Sequence, residues 1–423
     1  MNKLKLFRNI FLFFSIVYFS KAILPLLLEV NGYQNDSILG NQILQIVGST
    51  IFLIVGILVI ISERTLKTVK IISRNYWMLA MVFLISISIV WSSYPLVSFR
   101  IIISLLGTTL FALYLLQVFN KGNLLILLGW AFLFMTIANF FFLFLFPQWS
   151  TTTGSLFSDW RGIFTHKNRL GTMSCIFLIT FFSLIKNHPK NLFWILGFIL
   201  SIILILGSGS ATSYLVGIVI FPIMILIRSI LLSPKPITIL LLIFILVCTI
   251  FINYSSIFSS NILLNEITKY FGRDITLSGR IIIWQFVVED IKKQPILGYG
   301  VGGYWLGSMG ESGEISSFRG VVSAHAHNGY LDLLLALGSV GLIIFMLSFL
   351  KGFLFLKKAF IERDGFAVFC VLFLIFLLVN NLSETTFMER NSILWVLYVI
   401  AVLNKENPRL VCKRNAQIQR IHK

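Results

Sequence analysis

The sequence has few charged residues and few cysteines, and each shortage excludes a class of protein. Charged residues make up 12% of the 423 residues, whereas an average soluble domain has about 25%. This deficit excludes an ordinary soluble enzyme with a fully polar surface. Four cysteines in a chain of this length are too few for a disulfide-stapled secreted scaffold. Disorder is also excluded, because 57% of the residues are hydrophobic.

Several motifs that carry metal or nucleotide chemistry are missing as well. The sequence contains no HExxH, no Cys-x-x-Cys, no Asp-x-Asp and no Walker A motif. Residues 298–303 match GxGxxG, but they follow a predicted helix rather than a strand, so we interpret them as a turn. His325 and His327 form a His-x-His pair without a third ligand nearby in sequence. We therefore expect no metal and no cofactor.

Long apolar runs recur throughout the chain, and they predict an all-α polytopic membrane protein. About 20 apolar residues cross the hydrocarbon core of a bilayer as a helix. We predict about 12 transmembrane helices, approximately at residues 9–28, 38–61, 76–92, 101–119, 124–146, 170–185, 191–206, 214–232, 237–253, 329–350, 366–380 and 392–403.

The net charge of +18 indicates the orientation of these helices rather than nucleic-acid binding. The basic residues lie in short runs between apolar segments instead of in one soluble basic domain. With the N-terminus inside, the inner segments carry the whole positive excess, as the positive-inside rule expects. We predict that both termini are cytoplasmic and that no nucleic acid is bound. Lys21 is interpreted as a residue that reaches the outer membrane interface.

The predicted segments divide the chain into four regions. These are helices 1 to 9 in residues 1–253, a large extracytoplasmic loop in 254–328, helices 10 to 12 in 329–404, and a basic cytoplasmic tail in 405–423. A loop as long as the second region is more typical of a functional segment than of a connector.

The large loop contains a predicted helix at residues 280–293. Ser278 is suited to cap its start and Pro295 to end it. Its apolar residues recur at spacings of three and four and predict one stripe, formed by Ile281, Trp284, Val288 and Ile291. We expect this helix to lie on the membrane surface or over the bundle.

Basic, imidazole and amide side chains are concentrated in the predicted outer loops. The candidate site residues are Arg161, His166, Lys167, Asn168, Arg280, His325, His327, Asn328 and Glu384. Each has a plain structural interpretation as well, since cations can contact lipid headgroups and a histidine near a helix start can be ordinary polar surface. The case for function is that helices of one bundle can bring these loops to a shared cavity.

These residue types point to glycosyl transfer from a lipid-linked diphosphate. Arginine donates two parallel hydrogen bonds to phosphate oxygens. A neutral histidine, whose free pKa is about 6.5, is suited to remove a proton from a sugar hydroxyl. A diphosphate is already a good leaving group, so cations can take the place of a metal.

Seven motifs together resemble the O-antigen ligase and polymerase superfamily, in particular its exopolysaccharide-polymerase-like branch. In chain order they are WSSYPLVSFR (91–100), RGIFTHKN (161–168), GSGSATS (207–213), SGRIIIW (278–284), PILGYG (295–300), HAHNGYL (325–331) and NNLSETT (380–386). Their order and the long outer loop agree with the family over nearly the whole chain. The motifs do not separate ligases from polymerases, although this branch favours a polysaccharide polymerase over an O-antigen ligase.

The resemblance implies a metal-independent, inverting glycosyltransferase with a GT-C-like helical bundle. It implies a location in the cytoplasmic (inner) membrane of a bacterium, with the active site facing the periplasm or exterior. The implied donor is a glycan on undecaprenyl diphosphate, and the acceptor is a glycan or a lipid-linked molecule. A flippase and a chain-length regulator are the expected partners in polysaccharide assembly, besides membrane lipids.

The resemblance also implies roles for the candidate residues. His327 is the expected base, and Arg161 and Arg280 are expected to bind the diphosphate. The remaining candidates are expected to bind substrate, and these are His166, Lys167, Asn168, His325, Asn328 and Glu384.

The alternative is a flippase or transporter of lipid-linked glycans. Such a protein also needs basic residues, but it predicts charged residues near the middle of the spans. The predicted spans have almost none. A receptor or structural membrane protein would leave the arginine and histidine set unexplained.

Overall fold

A computed structural model of the protein describes residues 3–23, 38–61, 72–73, 75–153, 158–232, 280–307, 310–313, 325–361 and 364–403. Within these ranges the chain forms helices joined by turns, with one isolated antiparallel bridge between Thr151 and Trp160. The longer helices are α1 (Lys3–Phe19), α2 (Ile38–Ile61), α3 (Tyr76–Ile87), α4 (Pro95–Val118), α5 (Lys121–Leu145), α6 (Lys167–Asn187), α7 (Leu192–Gly207), α8 (Ala211–Leu232), α9 (Arg280–Lys293), α10 (Gly329–Ile361), α11 (Gly365–Asn380) and α12 (Ile393–Leu403). A 3-10 turn at Ser88–Val90 and a one-turn helix at Pro147–Ser150 accompany them. The predicted helical fold class is confirmed for these ranges.

Four described helices are long and apolar enough to cross a membrane. They are α4, α5, α6 and the first part of α10, Gly329–Leu354, and shorter apolar helices accompany them. Their length and composition are those of a membrane protein. The count of about 12 spans and the GT-C-like bundle stay predictions. The predicted span 237–253, the cap residue Ser278, most of the loop 254–328 and the tail 405–423 lie outside the described residues.

The predicted helix boundaries agree with the structure to within a few residues at most positions. α2 has the predicted range, and α9 covers residues 280–293 as predicted. α1 ends at Phe19, well before the predicted end of the first span, and α10 continues to Ile361, beyond the predicted end of the tenth. Hydropathy marks where a chain changes polarity, whereas backbone hydrogen bonding decides where a helix ends.

The helices α11 and α12 form the centre of the bundle. Every residue of α12 is buried, and α11 is buried except at Leu378. α11 packs against α6, α8 and α10, while α12 packs against α4, α10 and α11. A helix that is apolar on all sides suits this position because neighbours cover every face. Exposed apolar residues lie on outer helices instead, for example Leu192 and Leu206 on α7, as a lipid-facing surface requires.

α9 packs against α10 through a face that differs from the predicted stripe. Ile283 and Val287 are buried in a small cluster with α10 and the turn that follows α9. Trp284 and Ile291 are partly buried against the same cluster, but Val288 is 39% exposed, so its place in the stripe was wrong. Three consecutive isoleucines make the period ambiguous in sequence. The side chain of Ile281, the first residue of the predicted stripe, lies outside the described part of the structure.

The GxGxxG sequence forms a buried turn against a kink in α10. Gly298, Gly300 and Gly302 have positive φ angles, a conformation that glycine adopts without steric cost. Gly338 in α10 also has a positive φ, of 62°. A Cβ atom at Gly338 would lie 2.2 Å from the carbonyl oxygen of Ile296. The glycines therefore allow direct backbone contact between the turn and α10.

We expect Gly338→Ala to destabilise the protein. The substitution places a Cβ atom against backbone at a left-handed position, which costs about 1–2 kcal/mol from the backbone conformation alone. Thermal unfolding of the purified protein, followed by intrinsic fluorescence, should have a lower midpoint. The matched control is Gly217→Ala in α8, where no described atom lies within 4 Å of an added Cβ. An unchanged midpoint for Gly338→Ala would contradict the close approach of the two segments.

Candidate active site

Three connectors meet at one end of the bundle and enclose a cavity. The first runs from residue 158 to the start of α6, the second is residues 325–328 before α10, and the third is residues 381–392 between α11 and α12. The cavity has a volume of about 770 Å³, within the usual range for ligand sites. Its lining includes five of the predicted site residues, namely His166, Asn168, His325, His327 and Glu384.

Asn381 holds the third connector against the start of α10. Its side-chain oxygen accepts hydrogen bonds from the backbone N–H groups of Thr386 and Phe387, at 2.8 and 3.0 Å, and its amide nitrogen donates to the Thr386 hydroxyl at 2.7 Å. The backbone carbonyl oxygen of Asn381 accepts a hydrogen bond from the backbone N–H of Gly329 at 2.8 Å. A buried amide satisfied at both ends gives the connector, including Glu384, a defined position.

The carboxylate of Glu384 joins three helices at the cavity. Asn168 of α6 donates to it at 2.8 Å, Thr212 of α8 donates at 3.4 Å, and Arg280 of α9 approaches at 3.5 Å. Arg280 also donates to the carbonyl oxygen of Ser383 at 2.8 Å. Burial raises the pKa of Glu384, while Arg280 and Asn168 act against that rise. The positive charge of Arg280 is thereby held beside the cavity.

His325 and His327 pack against each other at the cavity. Their ring centroids are 4.1 Å apart and their planes are nearly perpendicular, at 79°. The backbone N–H of His327 donates to Nδ1 of His325 at 3.4 Å, which places the proton of a neutral His325 on Nε2. Burial lowers the pKa of His325; Glu389 acts against this shift and Arg280 adds to it. His325 is therefore neutral at pH 7.

His166 provides a second neutral imidazole. Its Nδ1 accepts a hydrogen bond from the backbone N–H of Asn168 at 3.2 Å, so it caps the start of α6. Burial lowers the pKa of His166, and the positive charges of Lys167, Arg161 and Arg280 lower it further. The imidazole lines the cavity in its uncharged form.

Asp332, in the first turn of α10, holds the segment between the two cavity histidines. Its carboxylate accepts from the backbone N–H of Ala326 at 3.1 Å, from the indole N–H of Trp305 at 2.7 Å and from the hydroxyl of Thr385. Ala326 is fully buried. Asp332 was not predicted as a site residue, although an ionisable residue inside a predicted span is a recognised signal of function.

Three predicted site residues do not themselves line the cavity, and each has other partners. Arg161 donates to two backbone carbonyl oxygens near its own connector, at 2.8 and 3.4 Å. Lys167 pairs with Asp159 at 2.7 Å. Asn328 accepts from two backbone N–H groups in the first turn of α10, so it acts as the N-cap of that helix. Arg161 and Lys167 still act on the site through their positive charge near His166.

A second charged group lines the same cavity and was not predicted. Glu389 in the third connector pairs with Lys21 at 2.6 Å and with Arg169 at 2.8 Å, and Arg100 and Arg390 also line the cavity. Burial disfavours the ionised form of Glu389, but Arg169 and Lys21 outweigh it and hold its pKa well below the usual value. Lys21 thus forms an ion pair within the protein rather than only reaching the membrane interface. The sequence feature that could have identified Glu389 is its position as an acidic residue in a short connector between two predicted spans.

Strained backbone is concentrated around this cavity. The described non-glycine residues with positive φ are Lys21, Ile23, His327, Met388 and Asn391, with φ between 50° and 60°. Lys21, His327 and Asn391 line the cavity, and the other two lie within two residues of a lining residue. Such conformations cost on the order of 1–3 kcal/mol each and cluster at functional sites.

The cavity combines proton acceptors with fixed positive charge. The neutral imidazoles of His166 and His325 can accept a proton, and Arg280 can stabilise an anion. Within the described ranges, no group of three or more His, Cys, Asp or Glu side chains is placed to hold a metal ion. This set of groups suits deprotonation of a hydroxyl beside an anionic leaving group.

A protein-family model matches part of the chain. Residues 196–346 match the O-antigen ligase family model. The matched range contains Arg280 and the connector before α10 with both histidines, whereas Arg161 and Glu384 lie outside it. The match confirms the resemblance that the sequence motifs indicate.

Curated relatives from bacteria match shorter parts of the chain. A Rickettsia conorii protein named as a candidate polysaccharide ligase is 29% identical over 144 residues, which cover 32% of this chain and 34% of the relative. The exopolysaccharide production protein ExoQ of Rhizobium meliloti is 29% identical over 97 residues, 22% of each chain. A Rickettsia felis protein with a candidate polysaccharide ligase name is 28% identical over 144 residues, 32% of this chain and 35% of the relative. The chain thus matches about a third or less of the length of these relatives.

We expect acid to destabilise the protein partly through His325. Because the pKa of folded His325 is lowered, the unfolded chain binds more protons as the pH falls below about 6.5, and stability falls with it. The unfolding temperature should decrease from pH 7 to about pH 5.5, and His325→Asn should make this decrease smaller. His188→Asn, at an exposed position at the other end of α6, is the matched control. Equal decreases in wild type and His325→Asn would contradict the lowered pKa.

Proposed function

We propose that the protein is a membrane glycosyltransferase that moves a glycan from undecaprenyl diphosphate to a glycan or lipid-linked acceptor at the outer face of the cytoplasmic membrane. The observation that carries this proposal is the 770 Å³ cavity, lined by His325, His327 and Glu384, with Arg280 bound to Glu384. The O-antigen ligase match supports the reaction class. The relatives named for polysaccharide ligation and exopolysaccharide production support the substrate class.

His327 acts as the general base in this mechanism. The acceptor hydroxyl gives its proton to the imidazole while its oxygen attacks the anomeric carbon of the donor, on the face opposite the diphosphate. The new glycosidic bond forms as the bond from the anomeric carbon to the diphosphate oxygen breaks. The diphosphate leaves with the bonding electrons, and the configuration at the anomeric carbon inverts. The place of His327 at the start of α10, with a φ of 51°, gives the base a defined position.

Arg280 binds the diphosphate and stabilises its charge as it leaves. The guanidinium is held at the cavity by the Ser383 carbonyl oxygen and by Glu384. Its 3.5 Å contact with Glu384 is long for a hydrogen bond, so a phosphate oxygen can compete for this donor. Arg161 contributes positive charge at longer range, because its guanidinium already donates to two backbone carbonyl oxygens.

The charge distribution along the described spans favours an enzyme over a flippase. Arg100 lies in the second turn of α4, and Arg169 and Asp332 lie in the first turns of α6 and α10. These positions are near the helix ends, whereas a transport path predicts charges near mid-membrane. Among enzymes, we favour a polysaccharide polymerase over an O-antigen ligase, in line with the exopolysaccharide production protein among the relatives. A flippase and a chain-length regulator are then the expected assembly partners.

We expect His327→Ala and Arg280→Lys each to abolish most glycan transfer. A positioned base contributes about 10²–10⁴-fold to such a step. Lysine keeps the charge of Arg280 but loses its two-pronged hydrogen bonding. The assay would use purified variants in lipid nanodiscs with lipid-linked glycan from the source cells, and the product would be followed by gel electrophoresis.

His188→Ala and Lys190→Arg are the matched controls for these two substitutions. Both residues are exposed at the other end of the bundle, so both variants should have wild-type activity. Full activity of His327→Ala together with an inactive His325→Ala would move the base to His325. If both histidine variants are active, the base lies elsewhere and Glu384 is the next residue to replace. Full activity of Arg280→Lys would remove Arg280 from the diphosphate site.

We expect the cavity end of the bundle to face the outside of the cell. In a variant without native cysteines, Thr152→Cys should react with a membrane-impermeant maleimide in intact cells, because Thr152 is exposed beside the first connector. Lys190→Cys, exposed at the opposite end of α6, should react only after lysis. The reverse pattern would place the cavity on the cytoplasmic face and overturn the proposed location of the reaction.

A further inference from the structure

The charged group around Glu389 is separate from the Arg280–Glu384 pair, although both carboxylates lie in the third connector. Glu389 follows Glu384 by five residues and binds Lys21, which follows α1, and Arg169, in the first turn of α6. The hydroxyl of Ser392 donates to the same carboxylate at 2.6 Å. No step of the mechanism above uses this group.

Arg169 has hydrogen-bond donors that Glu389 does not use. Its Nη1 binds Glu389, whereas its Nε and Nη2 are buried and have no hydrogen-bond partner among the described residues. These two nitrogens form the side-on edge of the guanidinium, which can donate two parallel hydrogen bonds to a carboxylate or phosphate. Because unbonded buried donors are costly, this edge is suited to bind an oxyanion. The side chain is 15% exposed where it lines the cavity.

Cations outnumber carboxylates in the lining of the cavity. The lining cations and carboxylates are Lys21, Arg100, Arg169 and Arg390 against Glu384 and Glu389. Glu384 is already paired with Arg280, which adds a further cation beside the lining. Lys21 and Arg169 share the carboxylate of Glu389, whereas Arg100 and Arg390 are exposed and have no carboxylate of their own in the lining. The surplus of positive charge therefore attracts an anion into the cavity.

This surplus lies close to the proposed base. His327 and His325 line the same cavity as Lys21 and Arg169, and the two imidazole rings pack against each other. An anion held by Lys21 and Arg169 is then near the attacking hydroxyl. This anion would therefore be a substituent on the sugars at the attacking end of the acceptor, and not the phosphate of a lipid carrier several sugars away.

We propose that Lys21, Arg169 and Arg390 form a subsite for an acidic substituent, a carboxylate or a phosphate, on the acceptor glycan beside its attacking hydroxyl. This inference rests on the proposed glycosyl transfer and adds its substrate class: the acceptor is an acidic glycan. Glu389 holds Lys21 and Arg169 in place before the acceptor binds. The substituent then binds the side-on edge of Arg169.

Three glycosides of similar size test this subsite. Methyl glucuronide carries a carboxylate on the sugar, methyl glucoside 6-phosphate carries a phosphate at the same position, and methyl glucoside carries neither. Saturation-transfer NMR with wild-type protein in nanodiscs would measure their dissociation constants. We expect at least one acidic probe to bind about tenfold more tightly than methyl glucoside, as charge-assisted hydrogen bonds predict. The acidic probe that binds more tightly identifies the natural substituent as carboxylate or phosphate.

Arg169→Gln should reduce this preference to about twofold or less, because it removes the side-on pair of donors. Arg390→Gln should weaken it as well, and since Arg390 is exposed, this variant leaves the ion pairs of Glu389 in place. Lys190→Gln removes an exposed cation at the other end of the bundle and should keep the wild-type preference. Equal binding of the three probes to wild type would overturn the proposal. An unchanged preference in both Arg169→Gln and Arg390→Gln would also overturn it.

These binding measurements need no turnover, so their outcome is separable from that of the proposed function. Active His327→Ala and Arg280→Lys variants, with the acidic preference intact, would reject the transfer mechanism and leave an acidic-sugar site. Inactive variants without any acidic preference would support the enzyme and reject the acidic acceptor.

Discussion

Two partly buried carboxylates, Glu384 and Glu389, hold the cavity end of the bundle together. Glu384 binds Asn168 and Arg280, and Glu389 binds Lys21 and Arg169, so each joins helices that are distant in sequence. Removing one partner from a buried ion pair is strongly destabilising, because it leaves an uncompensated charge in an apolar surrounding. These two side chains therefore link the positions of three elements around the cavity, which are the end of α1, the start of α6 and the start of α9.

The same charges explain why the imidazoles are uncharged. Burial lowers the pKa values of His166 and His325, and Arg280 lowers both further. The cations beside the cavity thus also keep the nearby histidines able to accept a proton. Anion binding needs a positive charge, whereas a histidine base needs a neutral imidazole. The two are compatible in one cavity because arginine keeps its charge at all relevant pH values while histidine does not.

The local structure at the site is costly, and the apolar centre of the bundle supports it. His327, Met388 and Asn391 have left-handed backbone conformations, which persist only where the surroundings determine them. Here the surroundings include the hydrogen bonds of Asn381 and Asp332, which tie the connectors to the first turn of α10. The third connector in turn joins α11 to α12, whose side chains are almost completely buried. Close van der Waals packing of these central helices supplies stability that offsets the strain.

The sequence by itself determined the helical membrane fold, the range of α2, the existence of α9 and the placement of His325, His327 and Glu384 at one site. These features follow from local properties, because a run of about 20 apolar residues must satisfy its own backbone hydrogen bonds in lipid. The motifs identified the two histidines as site candidates, because histidine is rare in the chain and is concentrated in the predicted outer loops.

Only the tertiary structure decided which polar side chains face the cavity. Arg161 donates to backbone carbonyl oxygens and Asn328 caps α10, although both belong to motifs that predict substrate contact. Lys21 and Glu389 are 368 residues apart in sequence and 2.6 Å apart in space. No local pattern encodes a contact of this kind, because it depends on how the helices pack around α11 and α12 and on which connectors that packing brings together.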